Sequence, residues 1–401
     1  MKRIYENMLN LHHSDLKQMS LVSGPRQVGK TTVAKSLSAE AAYLNYDITE
    51  DQKLIRGNSH LLNQTLGLNQ LLDQKKWIIF DELHKYNKWK SFLKGFFDEH
   101  SEKANIVVTG SARLQIYKKM GDSLLGRYFN YRMHPLSVAE ILHAERRPLD
   151  VEIVNPTINS ADDMEHLFNY GGFPEPFIKS NMSFNNRWNK LRKDILLKED
   201  VRDLVQIQDM SAIQVLADIL SQEVGSLINY SKLASDINVS VDTIRRWINI
   251  LDSIYYLFIV KPYSRNIRKS LIKNPKIYLW DWSAIQDIGK KTENFIASHL
   301  LKAVHFWTDM GLGDYDLFYL RDKNKREVDF LVTKNKKPWF LVEAKHGDKP
   351  SLSQHLFYFQ KETKAPFAFQ VNLFGKFIDR NCFESKEYLI VPGATFLSQL
   401  V

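Results

Sequence analysis

Gly24-Pro25-Arg26-Gln27-Val28-Gly29-Lys30-Thr31 is the stretch on which the reading of the fold turns. It satisfies G-x-x-x-x-G-K-[ST], with the apolar run Met19-Ser20-Leu21-Val22-Ser23 before it and a helical pattern from Lys30 to Ala42 behind it. A strand entering a glycine loop that opens a helix is the context the chemistry requires. The glycines let backbone N–H groups close around phosphate oxygens, and the helix N-terminus adds partial positive charge. Lys30 is then expected to reach the β- and γ-phosphates, with the Thr31 hydroxyl on Mg²⁺.

Outward from the loop, further strands are expected at Ala42-Tyr43-Leu44-Asn45-Tyr46, Trp77-Ile78-Ile79-Phe80, Asn105-Ile106-Val107-Val108 and between Arg127 and Met133. Helical patterns separate them, so the prediction is a parallel α/β sheet covered on both faces. Trp77–Phe80 runs into Asp81-Glu82. An acid at that strand end can hold the Mg²⁺ shell, which assigns Asp81 to the metal and Glu82 to the attacking water. Thr109 or Ser111, closing another strand, is positioned to meet the γ-phosphate or the water.

Composition narrows the rest. The chain has 401 residues and a net charge of +9, with 44% hydrophobic and 25% charged residues, which excludes a fibrous or largely disordered protein and predicts two or three domains. The single cysteine, Cys382, excludes a disulfide framework, and the 12 histidines show no zinc spacing. Ser111 stands in Gly-Ser-Ala rather than G-x-S-x-G, which removes the serine-hydrolase reading. No secretory leader is visible and no uncharged apolar run approaches the ~20 residues that span a bilayer, so a cytoplasmic location without membrane contact is expected. The basic excess permits an anionic partner.

Past Pro135 the pattern turns helical, broken by Gly171-Gly172-Phe173-Pro174-Glu175-Pro176. Tyr230 to Ile237, a turn at Asn238-Val239-Ser240 and Val241 to Ile254 read as helix, turn, helix. Ile244, Trp247, Ile248 and Leu251 recur at helical spacing and face inward, which leaves Asp242, Arg245, Arg246 and Asn249 outside, the layout of a helix that can enter a groove of DNA. Lys261, Arg265, Arg268, Lys269, Lys273 and Lys276 follow without an intervening acid and are counted as phosphate contacts, giving salt-sensitive, largely sequence-independent DNA binding.

Nearer the C-terminus, Glu327-Val328-Asp329-Phe330-Leu331-Val332 and Leu341-Val342-Glu343-Ala344-Lys345 carry acids at alternate positions of apolar runs. A hairpin would bring Asp329 and Glu343 together, and Glu343 and Lys345, two apart on a strand, share a face. Two carboxylates can bind Mg²⁺ or Mn²⁺, and Lys345 can neutralise a pentavalent phosphate, as phosphodiester hydrolysis requires.

Taken in order, Ser23 to Thr32, Phe80-Asp81-Glu82-Leu83-His84-Lys85 with Trp89, Thr109-Gly110-Ser111-Ala112, Ser123-Leu124-Leu125-Gly126-Arg127, Pro135-Leu136-Ser137 and Gly171-Gly172-Phe173-Pro174-Glu175 resemble the bacterial and archaeal AAA+-type ATPases with a C-terminal PD-(D/E)XK nuclease-like domain. The resemblance implies a five-stranded P-loop NTPase core over 1–135, a helical lid over 136–206, a winged helix over 207–270 and a mixed α/β restriction-endonuclease-like domain over 271–401. It extends the ATP-binding residues to Gly24, Pro25, Arg26, Gln27, Val28, Gly29, Lys30, Thr31 and Thr32, with Asp81. It adds Arg127 as a reader of the γ-phosphate, within one chain or across the interface of a homo-oligomer. Asp329 then matches the first nuclease acid, Glu343-Ala344-Lys345 the second part and Glu293 the upstream helix acid. The expected activity is ATP hydrolysis coupled to DNA binding and metal-dependent cleavage. The alternatives are a nucleotide-gated DNA- or protein-binding switch with an inactive nuclease-like domain, and a scaffold for a protein partner.

Overall fold

The computed structural model describes residues 1–70, 73–110, 124–157, 161–204, 210–264, 274–347 and 351–401. The chain divides into two compact units, Met1–His134 and Pro135–Val401.

In the first unit, β1 (Met19–Ser23), β2 (Ala42–Asn45), β3 (Lys76–Asp81), β4 (Ala104–Gly110) and β5 (Tyr128–Arg132) form one sheet in the order β2-β3-β4-β1-β5. Every pairing is parallel. β1 is buried along its whole length, as a central strand covered on both faces must be, and its five residues read Met-Ser-Leu-Val-Ser. The helices are α1 (Ile4–Asp15), α2 (Lys30–Ser36), α3 (Thr49–Arg56), α4 (Ser59–Thr65) and α5 (Trp89–His100). α5 buries Trp89, Leu93, Phe96 and His100, one stripe at helical spacing, against Phe80 and its neighbours. α2 stops at Ser36, short of the expected Ala42. Ser36 Oγ donates to Val33 O (2.9 Å) and Ser38 Oγ accepts from Glu40 N–H (3.2 Å), so local side-chain bonds compete with the helix there.

The parallel arrangement puts all strand C-termini at one edge. The registers Ser23↔Gly110 and Asp81↔Thr109 place the end of β1, where the glycine loop begins, beside the ends of β4 and β3. Open α/β sheets bind ligands at that edge.

The second unit begins with α6 (Val138–His143), α7 (Ala161–Tyr170), α8 (Pro174–Lys179) and α9 (Met182–Ile195), then α10 (Met210–Gln222), α11 (Tyr230–Ile237) and α12 (Val241–Ser253). The turn between α11 and α12 is dictated locally. Asn229 caps α11 by accepting from Lys232 N–H, Asn238 leaves it in the left-handed region at φ 59°, and Ser240 caps α12 by accepting from Thr243 N–H. Ile244, Trp247, Ile248 and Leu251 are buried, each such side chain contributing about 1.5–3 kcal/mol, while Asp242, Arg245, Arg246 and Asn249 are exposed.

A seven-stranded mixed sheet follows, in the order β12-β11-β10-β9-β8-β6-β7. Its strands are β6 (Leu257–Pro262), β7 (Lys276–Leu279), β8 (Tyr315–Arg321), β9 (Glu327–Lys334), β10 (Lys337–Lys345), β11 (Phe367–Asn372) and β12 (Tyr388–Pro392). The β6–β7 hairpin joins the sheet through a short parallel pairing of β6 with β8. α13 (Ile288–Asp309) and α14 (Gln354–Thr363) pack on the sheet, and α15 (Gly393–Ser398) follows β12. The tight β9–β10 hairpin turns through Asn335 and Lys336, both at positive φ, the conformation a two-residue turn between twisted strands demands. No helix among the described residues is long and apolar enough to cross a membrane.

Candidate functional sites

The glycine loop is packed from below. A Cβ on Gly24 would sit 2.3 Å from Met133 O, so no other residue fits where the loop leaves β1. Gln27 (φ 62°) and Gly29 (φ 101°) both take left-handed conformations, which curl Gly24–Gly29 into a nest ahead of α2. Gly24, Pro25 and Val28 are buried, Arg26 and Gly29 half-buried, and Gln27 and Thr32 exposed. Lys30 folds back over the loop and donates to Gly24 O (2.9 Å) and Pro25 O (2.6 Å).

Asp81 joins the pieces. Its Oδ2 accepts from Thr31 Oγ1 (2.7 Å) and Tyr43 OH (2.8 Å), and its Oδ1 accepts from Glu82 N–H (3.0 Å) and from the Thr109 hydroxyl. Burial alone would raise this carboxyl, but the hydroxyls of Thr109, Thr31 and Tyr43, with the Lys30 charge, bring it below its ordinary value. The donor set, a helix-start hydroxyl 2.7 Å from a strand-end carboxylate, fits Mg²⁺, which takes hard oxygen ligands and keeps several waters.

Glu82 follows at φ 52°, in the left-handed region. Its Oε2 is buried and accepts no hydrogen bond, with His84 Nε2 and Lys85 Nζ each 3.6 Å away. Burial is the main cause that raises its pKa, against the opposing charges of Lys85 and Lys30. A carboxylate in that state is suited to take a proton.

Two residues depart from the expected placement. Thr109 is fully buried and its hydroxyl is bound to Asp81, so it positions the metal-site carboxylate rather than facing a phosphate. Arg127 lies at the opposite end of the sheet, where its carbonyl accepts from Met19 N–H at the start of β1 (2.9 Å). The loop follows the other end of that strand, roughly 13 Å on at about 3.3 Å per residue. The guanidinium instead makes a two-pronged bond to Asp98, Nε to Oδ1 at 2.7 Å and Nη2 to Oδ2 at 3.0 Å. Arg127 therefore does not read a phosphate in its own loop. Ser111, Ala112 and Ser123 lie outside the described residues.

Two contributors escaped the sequence reading. Tyr43 comes from β2, as an alternating strand residue with no motif around it. Arg3, only 4% exposed, reaches from the start of α1 to donate to Val28 O and His134 O, both at 2.7 Å. It ties the loop backbone to the end of the β5 segment.

A second cluster forms in the C-terminal unit. The antiparallel register Leu331↔Leu341, Phe330↔Val342, continued one step, sets Asp329 opposite Glu343, and α13 brings Glu293 to the same place. Glu343 Oε1 accepts from Lys345 Nζ (2.9 Å), and Asp329 Oδ2 from Ala344 N–H (2.9 Å). Lys276 was counted among the phosphate-binding cations, but it is 2% exposed on β7 and points into the acids. Its Nζ lies 3.1 Å from Glu293 Oε1, 2.7 Å from Glu327 Oε1 and 3.9 Å from Asp329 Oδ1. Tyr278 OH also donates to Glu293 Oε1 (2.7 Å), and Arg321 holds the far oxygen of Glu327 (2.6 Å).

Burial, then the neighbouring Asp329, pushes Glu293 and Glu343 each up to about 7, and burial raises Asp329 as well. Burial would lower the Lys276 ammonium, but Glu293, Asp329 and Glu327 raise it. Mg²⁺ requires near-octahedral oxygens at about 2.0–2.1 Å. Here an ammonium already bridges two of the acids and approaches a third. Among the described residues no group of three or more His, Cys, Asp or Glu converges as a metal would need. The residues of this cluster do not fit Mg²⁺ or Mn²⁺ as arranged.

Of the basic run, Lys261 is exposed on β6, while Arg265, Arg268, Lys269 and Lys273 lie outside the described residues.

Comparison with known proteins is consistent with the first site. Residues 16–142 match the model of a family described as an AAA domain. Residues 161–289 and 288–383 match two domains of unknown function, DUF8612 and DUF4143. Among curated relatives, the uncharacterized protein MJ1544 of Methanocaldococcus jannaschii is 25% identical over 334 residues, covering 79% of this chain and 72% of its own. An uncharacterized protein of Haemophilus influenzae is 23% identical, covering 82% and 83%. Among solved structures, a Walker-type ATPase of Pyrococcus abyssi aligns with TM-score 0.41 at 14% identity over 68% of this chain and 91% of that one. The parallel sheet, the loop and the AAA match together make residues 16–142 a P-loop ATPase-type domain.

Proposed function

We propose that the chain is a Mg²⁺-dependent ATP hydrolase whose nucleotide state governs how its C-terminal unit engages DNA. The observation that carries the ATPase reading is the Thr31–Asp81 hydrogen bond of 2.7 Å, which joins the loop helix to the end of β3 and pre-assembles the metal-facing pair. Bound there, Mg²⁺ supplies charge neutralisation on the β- and γ-phosphates. Lys30 exchanges its bonds to the Gly24 and Pro25 carbonyls for phosphate oxygens. The loop N–H groups and the start of α2 hold the remaining phosphate charge. Glu82, with a raised pKa and an unpartnered oxygen, accepts the proton of the attacking water.

The DNA reading rests on α11, α12 and the β6–β7 hairpin, an order that suits a winged helix, and on exposed Arg245, Arg246 and Asn249 along α12 with Lys261 on the hairpin. Such contacts are phosphate-directed and salt-sensitive. In the same reading, the mixed sheet with α13 is the nuclease-like module.

The test is a pair of variants. Asp81→Asn is expected to remove Mg²⁺-dependent ATP hydrolysis and leave DNA retention measurable, whereas Arg245→Ala with Arg246→Ala weakens DNA binding and flattens its salt dependence without touching ATP turnover. ATP hydrolysis by Asp81→Asn at the wild-type rate would overturn the metal assignment, and unchanged DNA affinity in the arginine variant would overturn the DNA surface.

A further inference from the structure

The cluster of Glu293, Glu327, Asp329 and Glu343 presents a chemical question that ATP hydrolysis does not touch: which cation balances four carboxyl groups gathered around β9, β10 and α13. We propose that the ammonium of Lys276 is the resident cation of this cluster, standing where a divalent ion would have to stand, so that the nuclease-like module carries no metal-activated water and does not hydrolyse phosphodiesters.

The geometry makes the case. Lys276 opens β7, is almost sealed from solvent, and offers its ammonium to Glu327 at 2.7 Å and Glu293 at 3.1 Å, with Asp329 Oδ1 at 3.9 Å. These acids come from α13 and from alternate positions of β9. A buried ammonium survives only when paired, and three converging carboxylates are what one requires. Other acceptors of the cluster are committed as well. Asp329 Oδ2 is bound by Ala344 N–H, Glu343 Oε1 by Lys345, and Glu293 Oε1 also by Tyr278. Glu343 Oε2 stays buried without a partner, and a lone carboxylate oxygen on a side chain already paired with Lys345 is not by itself a divalent-ion site. Lysine cannot leave as water leaves a metal shell, so a divalent ion could enter only by displacing a tethered charge from three partners.

The substitution that tests this removes the resident cation. Lys276→Met keeps length and apolar bulk but leaves the carboxylates uncompensated. The probe is MnCl₂, titrated calorimetrically into the full-length chain without nucleotide, with melting followed in EDTA and in Mn²⁺. Wild type and Glu343→Gln are expected to give superimposable titrations, because the cluster takes no Mn²⁺. Lys276→Met is expected to gain one site, with a melting point lowered in EDTA and recovered in Mn²⁺, and the gain is lost again when Asp329→Asn is added.

A saturable Mn²⁺ site in wild type that disappears in Glu343→Gln overturns the proposal. So does a folded Lys276→Met chain that gains no Mn²⁺. Should Lys276→Met fail to fold, the comparison of wild type with Glu343→Gln decides alone, since it leaves Lys276 in place. In a second arm, labelled duplex, forked and single-stranded DNA incubated with Mn²⁺ and the wild-type protein stays intact. Cleavage that vanishes in Glu343→Gln overturns the proposal equally. ATP turnover in the same preparations separates either result from a failure of the ATPase reading.

Discussion

The two acidic sites of this chain solve opposite problems with the same side chain. Around Asp81 the partners are neutral hydroxyls, from Thr31, Thr109 and Tyr43. Hydroxyls satisfy a carboxylate without cancelling its charge, so the negative field persists and a cation with its own ligands can be drawn in. Around Asp329 and Glu293 the partner is the Lys276 ammonium, which cancels charge and is fixed to the backbone. The pKa directions have separate causes: hydroxyl donors bring Asp81 below its ordinary value, while burial and then Asp329, against the opposing charges of Lys276 and Lys345, raise Glu293 and Glu343 to about 7. A carboxylate held ready for a metal and one held shut by a lysine are thus told apart by the charge of their donors, not by their number.

The largest expected effect comes from breaking the first site at its base. Glu82→Gln should lower ATP turnover by about 10²–10⁴-fold, the usual weight of a positioned general base, while fluorescent-nucleotide titration shows affinity preserved. Affinity falling in step with turnover would instead make Glu82 a binding residue.

Next comes the anchor beneath the loop. Arg3→Leu removes the buried hydrogen bonds to the Val28 and His134 carbonyls, a loss of about 0.5–1.5 kcal/mol each and more where an acceptor is left unmet. Its expected signature is a KM for ATP raised about tenfold or more with kcat less affected, and Arg3→Lys recovers part of it. A wild-type KM in Arg3→Leu would show that the loop holds its shape unaided.

The pH dependence sharpens the comparison because the two sites carry opposite signs. Asp81 is depressed, so its contribution to stability is present above its ordinary value of 3.8 and is lost as pH falls through the depressed value. Glu293 and Glu343 are raised from 4.5 to about 7 and hold protons in the fold that the unfolded chain has released. Their contribution is therefore fully present below pH 4.5 and is lost as pH climbs to about 7. Melting temperature across that window should fall in wild type relative to a Glu293→Gln, Glu343→Gln variant. Parallel curves would contradict the charge balance drawn here.

The smallest effect is expected at Arg127. With its guanidinium on Asp98 at the far end of β1, Arg127→Ala should leave turnover of dilute protein within about twofold, measured at concentrations where the chain does not self-associate. A deficit that appears only as concentration rises would place Arg127 across a subunit interface.

Much of this was legible in the sequence. All five strands of the first sheet, the loop and the acid pair at the end of β3 follow from apolar runs with glycine and carboxylate punctuation, signals confined to short windows. The turn at Asn238–Ser240 was legible for the same reason, since its caps are local. Asp329 and Glu343 could be brought together because a hairpin converts spacing into contact. What stayed hidden depends on partners distant along the chain. Arg3 reaches His134 across 131 positions, and no pattern around either announces it. Lys276 looked like the end of a basic run, because charge counting cannot see that β7 turns this side chain into a cluster assembled from β9 and α13. Arg127 turns on register: the motif names the residue, but only the pairing with Met19 shows which end of its own sheet it occupies.

The central claim is that the turn from Gly24 to Thr31 closes around a triphosphate. Steady-state ATP hydrolysis by wild type and Lys30→Ala, at matched melting temperature and saturating Mg²⁺, tests it most directly. Clear turnover in wild type and a loss of about 10²–10³-fold or more in the variant are expected, the weight of a charge-stabilising donor removed from a transition state. Equal rates in the two proteins would contradict it.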